Sequence, residues 1–293
     1  MEIVNEWLEE IDCEGELTLL SDRESSIKYY RLKNSMHSGI VVDFSKKEEA
    51  FKPFLVLNLP LYEAGVTVPK IFTYNREEFL VFMEDLGSTH LCDIGSSDVE
   101  LFYNKAIDAI VKMQNTQTEV LSVEDKTSLL KKIHLQKYFD SETLQNIQPL
   151  LETIVNELLK QPKDVFVHGN YQAKNLMFNC NDSIVVTEYY NARMGVVTYD
   201  LSSLLLDIDV DFNDKDIERM VLEFKDKKGL NIDNNNFIKW FYFTGIYHNL
   251  TRLNNNNGSL NIEFLIKLLS RYSETEKLCQ LFKEKQQLKF VSH

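Results

Sequence analysis

Short runs of apolar or alternating residues fill the front of the chain and are typical of β-strands. These runs cover residues 27–32, 39–44, 70–74 and 79–83. One helical pattern lies between them, because residues 48–63 repeat apolar side chains at helical spacing and Gly65 follows as a helix stop. The front of the chain is therefore predicted to form a small sheet with one helix across it.

Beyond residue 87 the pattern changes to apolar residues at helical spacing. The predicted helices cover residues 99–113, 128–138, 142–159, 202–206, 217–224, 237–253 and 262–281. One β-rich stretch, residues 165–198, interrupts them, and the Asn-rich stretches 234–236 and 254–257 are typical of solvated loops. The pattern predicts an α+β protein with a small sheet at the front of the chain and a mainly helical back.

Composition and charge narrow the class of protein. The 293 residues are 44% hydrophobic and 11% aromatic, as in ordinary globular proteins. The formal net charge of −13 disfavours nucleic acid and anionic membranes as partners. The four cysteines are too widely spaced to predict a zinc site or a disulfide framework. Because no secretory signal pattern and no apolar run of about 20 residues is present, we expect a cytoplasmic protein with reduced thiols.

The most informative segment is residues 165–178, which read VFVHGNYQAKNLMF. An apolar strand leads into a loop whose polar residues are His168, Asn170, Gln172, Lys174 and Asn175. A second short strand, residues 184–186, follows a turn and ends near Glu188. Such a hairpin would bring an Asn and a carboxylate close together, and kinases hold magnesium and a triphosphate with this arrangement.

This segment and residues 183–207 resemble the catalytic and metal-binding loops of the aminoglycoside phosphotransferase and choline kinase-like superfamily. The chain reads HGNYQAKNLM and EYYNARMGVVTYDLSSLLLD where the superfamily has H-[GR]-D-x-x-x-x-N, then I-D-[FW] and D-L. Within the superfamily it resembles the bacterial cell-wall amino-sugar kinases, which phosphorylate N-acetylmuramate and N-acetylglucosamine at the anomeric position. Residues 21–32, 61–88 and 237–253 are also similar to that family, so the resemblance covers nearly the whole chain.

The resemblance implies a protein-kinase-like bilobal α+β fold, with an N-terminal antiparallel sheet lobe and a larger helical C-terminal lobe. Residues 1–86 would form the N-terminal lobe, and residues 87–293 the helical C-terminal lobe that carries the catalytic and metal-binding loops. It also implies ATP and Mg²⁺ as nucleotide and metal, and a hydroxyl group of a sugar or amino sugar as the phosphate acceptor.

The resemblance assigns catalytic roles to Asn170, His168, Lys174 and Asp200. Asn170 stands where the family has the Asp that orients the acceptor hydroxyl and takes its proton. His168 is expected to brace the loop, and Lys174 to add positive charge. Asp200 is expected to bond to the loop, and it can also cap the helix that follows.

The remaining assignments concern nucleotide, metal and acceptor. Met83, Glu84, Asp85 and Leu86 resemble the hinge that bonds adenine, and Lys28 and Arg31 are candidates for phosphate charge. Asn175 and Glu188 match the magnesium ligands. His248 lies in the helix that corresponds to sugar recognition, although a lone histidine on an aromatic helix is commonly a core residue. Arg193 is interpreted as a solvated residue.

Two positions depart from the family pattern. The amide of Asn170 can position a hydroxyl but cannot take its proton, and general-base assistance is typically worth ~10²- to 10⁴-fold. Glu188 replaces an Asp and is one methylene longer, while magnesium demands near-ideal geometry. Two hypotheses therefore stay open: a small-molecule kinase, and a pseudokinase that binds nucleotide, sugar or a protein partner without turnover. The loop details favour amino sugars over a third hypothesis, aminoglycoside resistance.

Overall fold

The computed structural model describes residues 2–20, 26–34, 38–95, 98–179, 181–207, 212–253 and 262–291. The chain divides into two packing units. The first comprises Met1–Thr118 and Ala173–Ala192, and the second comprises Glu119–Gln172 and Arg193–His293. We call them the sheet unit and the helical unit.

The sheet unit is built on five antiparallel strands. They are β1 (Glu16–Leu20), β2 (Lys28–Lys33), β3 (Ser38–Asp43), β4 (Ile71–Asn75) and β5 (Leu80–Glu84), in the spatial order β1-β2-β3-β5-β4. Helix α1 (Glu2–Glu10) packs on one face, where Trp7 joins Tyr30, Leu32 and Phe82 in a core cluster. Because successive side chains of a strand point to opposite faces, Tyr29 and Arg31 of β2 lie on the other face.

Helix α2 (Glu48–Glu63) has the bounds that its apolar spacing predicts. It buries Phe51, Phe54 and Leu57, and the Phe54 ring lies 5.4 Å from that of Phe44, which follows β3. The chain leaves the helix at Gly65, whose φ of 79° lies in the left-handed region that glycine adopts without strain.

The predicted β-rich stretch consists of two strand pairs, one in each unit. In the sheet unit β7 (Leu176–Phe178) pairs antiparallel with β8 (Ile184–Val186), and the Asn179 side chain accepts the Ser183 backbone N–H at 3.0 Å within the turn. In the helical unit β6 (Val165–Val167) pairs with β9 (Arg193–Gly195). Each pair borders one of the candidate loops.

The remaining described helices account for most of the chain beyond residue 98. They are α3 (Val99–Met113) in the sheet unit and α4 (Lys126–Lys131), α5 (Ser141–Leu158), α6 (Tyr199–Leu205), α7 (Asp214–Lys227), α8 (Asn234–Arg252), α9 (Ile262–Leu269) and α10 (Glu276–Val291) in the helical unit. The predicted α+β fold, with an N-terminal antiparallel sheet and a helical C-terminal part, is confirmed. No helix in the described ranges is long and apolar enough to cross a membrane.

Several local predictions were wrong. The helix predicted over 128–138 ends at Lys131, after which Ile133 and Leu135 are buried without helical spacing. The helix predicted over 262–281 is broken after Leu269, whose carbonyl accepts the Thr275 hydroxyl at 2.6 Å. The Asn-rich stretch 234–236 is the first turn of α8, and the stretch 254–257 lies outside the described residues.

The packing units and the predicted lobes divide the chain in different ways. The hairpin β7–β8 belongs to the sheet unit, since the Val186 N–H donates to the Thr67 carbonyl at 2.9 Å and the Phe178 N–H to the Thr89 carbonyl at 3.3 Å. Residues 87–118 belong to the same unit. The lobe boundary at residue 86 stays a prediction.

Candidate functional site

A cavity of about 280 Å³ opens in the sheet unit between the sheet and the β7–β8 hairpin. Its apolar walls are formed by Leu20, Tyr29, Ile40, Met83, Leu86 and Met177. Its polar lining comes from Arg31, Glu84, Ser88, His90, Thr187 and Glu188. Apolar walls with a few polar groups are typical of pockets that take small molecules.

The register of the sheet explains which side chains reach this cavity. Arg31 of β2 lies opposite Ile40 of β3, and Ile40 lies opposite Met83 of β5. Residues directly opposite in antiparallel strands share a face, so all three line the face that α1 leaves uncovered. Met177 of β7 contributes from the hairpin.

Three of the four predicted hinge residues line the cavity: Met83, Glu84 and Leu86. Met83 is buried in β5, whereas Glu84 is exposed and its carboxylate accepts the Lys70 backbone N–H at 3.2 Å. Leu86 lies beyond the end of β5. The segment that is predicted to bind the base therefore spans the end of β5 and borders the cavity.

The fourth hinge residue, Asp85, is bonded to the predicted phosphate ligand Arg31. Nε of Arg31 donates to one carboxylate oxygen at 2.9 Å and Nη2 to the other at 3.0 Å. The Ser38 hydroxyl donates to the same carboxylate at 2.6 Å. Partial burial opposes ionisation, but the hydrogen bonds from Ser38 and Arg31 prevail and hold the pKa of Asp85 below its ordinary value.

Neither candidate lysine is among the residues that line the cavity. Lys28 is half-buried on β2 opposite Asp43, and Lys174 is exposed in a short 3₁₀ turn before β7. Arg31 is the only lysine or arginine among the described residues that line the cavity, and its charge is neutralised by the ion pair with Asp85. The proposed roles of the two lysines stay predictions.

The candidate metal ligands lie at the two ends of the β7–β8 hairpin. Asn175 directly precedes β7 and is buried, and Glu188 follows β8 by two residues and lines the cavity. The Thr187 hydroxyl donates to the Asn175 carbonyl at 2.8 Å, which ties the two ends together. Glu188 has φ 59° and ψ 25°, a left-handed conformation that is uncommon for Glu.

The donor set at these two residues fits Mg²⁺. An amide oxygen and a carboxylate are hard oxygen ligands, and magnesium is commonly held by one or two carboxylates together with substrate phosphates and water. The described residues contain no group of three or more His, Cys, Asp or Glu that could hold a metal ion. Asn175 and Glu188 would therefore hold a metal together with a phosphate-bearing ligand.

The residue after Glu188 is anchored to α2. Tyr189 is fully buried, its ring stacks on Phe54 with centroids 4.9 Å apart, and its hydroxyl accepts from Asn58 Nδ2 at 2.7 Å. The next residue, Tyr190, packs edge-on against Phe44. These contacts fix the backbone on the C-terminal side of Glu188.

The candidate catalytic loop in the helical unit is held by Asp200. One carboxylate oxygen of this buried side chain accepts the His168 N–H at 2.8 Å, and the other accepts the Gly169 N–H at 3.1 Å. Burial raises the pKa of Asp200 to about 6, although these two hydrogen bonds oppose the rise. Asp200 is thus bonded to the loop, the contact that the family resemblance implies.

Within this loop Gly169 and His168 set the backbone before Asn170. Gly169 has φ 83°, a conformation that a side chain would strain. The Asn170 N–H donates to Nδ1 of the buried His168 at 3.2 Å. The structure therefore gives His168 a bracing contact with the half-buried Asn170, two residues further along the loop.

The predicted substrate residue His248 is buried in α8. Its ring packs edge-on against Tyr199 at 5.3 Å, and burial lowers its pKa to about 3. A neutral, buried imidazole is typical of a core residue. An acceptor-binding role for His248 therefore stays a prediction.

A further contact holds the catalytic loop. The Gln172 amide donates to the Asp207 carboxylate at 2.7 Å, and Arg252 lies 4.0 Å from the same carboxylate.

The interpretation of Arg193 as a solvated residue was wrong. Its Nε lies 2.6 Å from a carboxylate oxygen of Glu124, its guanidinium lies 4.3 Å from the Tyr199 ring centroid, and its side chain is only 12% exposed. Desolvation of the buried guanidinium opposes the charged form, but the nearby Tyr199 and Glu124 prevail and raise the pKa of Arg193. The pair forms between distant parts of the chain, so periodicity carries no signal for it.

Other contact residues were also missed. Ser38, Thr187 and Asp207 each hold a candidate residue through one hydrogen bond. Thr187 and Asp207 had a signal in the sequence, because Thr187 directly precedes Glu188 and Asp207 ends the segment 183–207 that resembles the family. Ser38 had none.

Comparison with known proteins identifies the family of this chain. The model of the phosphotransferase enzyme family matches residues 16–226, more than half of the chain. The chain therefore belongs to the phosphotransferase enzyme family.

Two relatives and one solved structure are similar to this chain. The N-acetylmuramate/N-acetylglucosamine kinase of Pseudomonas aeruginosa is 29% identical over 205 residues, 66% of this chain and 60% of that protein, so the chain spans about three fifths of its length. The kinase of the same name from Neisseria meningitidis is 26% identical over 268 residues, 83% of this chain and 79% of that protein. The ADP-bound structure of aminoglycoside phosphotransferase APH(2'')-Ib matches with a TM-score of 0.65 at 14% identity, over 97% of this chain and 98% of that chain.

Proposed function

We propose that this protein transfers the γ-phosphate of ATP to a hydroxyl group of a sugar or amino sugar. The observation that carries the proposal is the cavity of the sheet unit, whose apolar walls suit a purine base and whose polar edge includes Thr187 and Glu188. Membership of the phosphotransferase family supports the reaction class. The names of the P. aeruginosa and N. meningitidis relatives support the acceptor class.

In this proposal the base lies against Ile40 and Met177, next to the segment from Met83 to Leu86. Asn175 and Glu188 hold a magnesium ion, which neutralises phosphate charge when it is bound. The left-handed backbone of Glu188 supports such a role, because strained residues concentrate at functional sites and persist only where neighbouring contacts hold them. Tyr189 and Thr187 supply those contacts.

Asn170 positions the acceptor hydroxyl in the proposed reaction. Its amide can donate to or accept from a hydroxyl, but it has no basic lone pair to take the proton. The acceptor proton must then leave to water or to the transferred phosphate, and we expect transfer to be slow by comparison with an Asp at this position.

A second candidate function follows from Asn170 itself. Without a general base the protein can act as a nucleotide-binding module that does not turn over. The cavity and the metal ligands serve this function equally well, so only a measurement of phosphate transfer separates the two.

The test is transfer of labelled phosphate from ATP to N-acetylglucosamine and N-acetylmuramate. It compares the wild-type protein with Asn170→Asp, Glu188→Asp and the double variant, and uses Asn236→Asp, the same change at an exposed position in α8, as a matched control. Transfer that rises in Asn170→Asp and not in the control supports the kinase. Nucleotide binding without transfer in any variant supports the binding module, and no nucleotide binding contradicts both.

A further inference from the structure

We propose that Arg31 is a positioning residue that clamps β2 to the segment after β5 and thereby sets affinity for the nucleoside part of a nucleotide, and that it does not bind the phosphates. The inference rests on the proposed function, since it assumes that the cavity takes a nucleotide. We call Arg31, Asp85 and Gly87 the hinge clamp.

Three hydrogen bonds define the hinge clamp. Nε and Nη2 of Arg31 take both oxygens of Asp85, and Nη2 also donates to the Gly87 carbonyl at 2.7 Å. Asp85 in turn accepts the Gly87 N–H at 3.0 Å. One guanidinium therefore fixes a side chain and a main-chain carbonyl of the same segment.

The clamp controls a wall of the cavity. Leu86 lies between Asp85 and Gly87 in the chain, and both Leu86 and Gly87 line the cavity. Arg31 lies in a paired strand, so its backbone is held by the ladder to β1 and β3. Releasing the guanidinium frees the segment after β5 and, with it, the cavity wall.

The ion pair with Asp85 argues against Arg31 as a ligand for phosphate. Arg31 and Asp85 form an ion pair whose side chains are 18% and 12% exposed, and the pair has no net charge. A phosphate would have to displace a carboxylate that already makes two parallel charge-assisted bonds, and such fork-shaped pairs are among the stronger hydrogen bonds in proteins. The other charged residues that line the cavity, Glu84 and Glu188, are acidic.

The fork geometry makes the inference testable, because lysine keeps the charge and loses the fork. The experiment titrates adenosine and ATP with Mg²⁺ into the wild-type protein and into Arg31→Lys, Arg31→Met and Asp85→Asn by calorimetry. We expect each variant to raise the Kd of adenosine and of ATP by the same factor, about tenfold, because the clamp acts on the nucleoside end.

The opposite result has a clear signature. If Arg31 binds phosphate, Arg31→Met raises the Kd of ATP far more than that of adenosine, and Asp85→Asn frees the guanidinium and tightens ATP binding. Either result overturns the proposal, as do variants that bind both ligands as tightly as the wild type. A wild-type protein that binds neither ligand overturns the proposed function and the clamp together, so the two failures are distinguishable.

Two further variants serve as references: one lies outside the hinge clamp, and the other weakens the clamp without removing the fork. Arg219→Lys changes an exposed arginine of α7 that pairs with Glu223 at 3.0 Å in the helical unit, and it should leave both Kd values unchanged. Ser38→Ala removes one hydrogen bond to Asp85 and keeps the fork, so it should raise both Kd values by about threefold. Unfolding midpoints without ligand show whether each variant is folded. Unchanged Kd values in a folded Ser38→Ala count against the clamp.

Discussion

Asp85 in the sheet unit and Asp200 in the helical unit both fix a loop through their carboxylates, under different physical conditions. Asp85 is partly exposed and accepts from a cation and a hydroxyl, and its pKa lies below the ordinary value. Asp200 is fully buried and accepts two backbone N–H groups, and its pKa is raised to about 6. The first loop depends on charge pairing, and the second depends on hydrogen bonds that no solvent can replace.

Each of the two candidate loops is held in place by defined contacts. The contacts that hold the loops are present in both units, including the bond from Thr187 to Asn175 and the Tyr189 anchor beside Glu188. The departures from the family pattern lie at Asn170, where proton transfer is expected, and at Glu188, where a metal ligand is expected. Binding and catalysis can therefore be tested separately in this protein.

The largest expected effect concerns catalysis. Asn170→Asp should raise the rate of phosphate transfer about 10²- to 10⁴-fold, because the new carboxylate can take the acceptor proton. Single-turnover transfer at saturating ATP measures it. An unchanged rate, with nucleotide binding intact, would mean that the rest of the catalytic arrangement is missing as well.

The next effect contrasts the two aspartates in stability. Asp200→Ala leaves the N–H groups of His168 and Gly169 without acceptors and should lower the free energy of unfolding by about 3 kcal/mol. Asp85→Ala should cost about 1 kcal/mol, since water can reach the groups it releases. Urea unfolding of both variants tests this, and equal losses would remove the distinction between the two loops.

The same contrast predicts a pH dependence. A carboxyl group whose pKa rises on folding holds more protons when folded, so stability falls as pH rises from the unfolded to the folded pKa. For Asp200 this window runs from about 4 to about 6, and the loss is roughly 3 kcal/mol. Asp200→Asn should lack this fall. A difference between wild type and variant that is constant from pH 4 to 7 would contradict the raised pKa.

The smallest expected effect concerns the Tyr189 anchor. Tyr189→Phe removes the acceptor of Asn58 Nδ2, which keeps its bond to the Pro69 carbonyl at 3.0 Å, so the unfolding free energy should fall by about 1 kcal/mol. If the anchor holds Glu188, the variant should also weaken the Mg²⁺ dependence of ATP binding. Tyr242→Phe, which removes a hydroxyl bond to Glu218 in the helical unit, is the matched control. Equal Mg²⁺ dependence in both variants would limit Tyr189 to a structural role.

Sequence reasoning worked where the signal was local. The bounds of α2 and the strand over residues 184–186 follow from apolar spacing within short segments. The predicted pairing of the strands 165–167 and 184–186 was wrong, because 165–167 pairs with β9 and 184–186 pairs with β7. The contact between Asp200 and the catalytic loop was implied by the family resemblance and not by periodicity. Helix α1 and strand β1 were not predicted, although Val4, Trp7 and Leu8 have helical spacing. The pairs Arg31–Asp85 and Arg193–Glu124 join residues far apart in the chain, and no periodicity encodes such a pair.

The central claim is that the cavity of the sheet unit binds a nucleotide together with a metal ion. The most direct measurement is the thermal unfolding midpoint of the purified protein with ATP, with and without Mg²⁺, because a ligand that binds only the folded state raises it by mass action. We predict a rise with ATP that Mg²⁺ enlarges, and loss of the Mg²⁺ contribution in Glu188→Gln. No rise at millimolar ATP, with or without Mg²⁺, would contradict the claim.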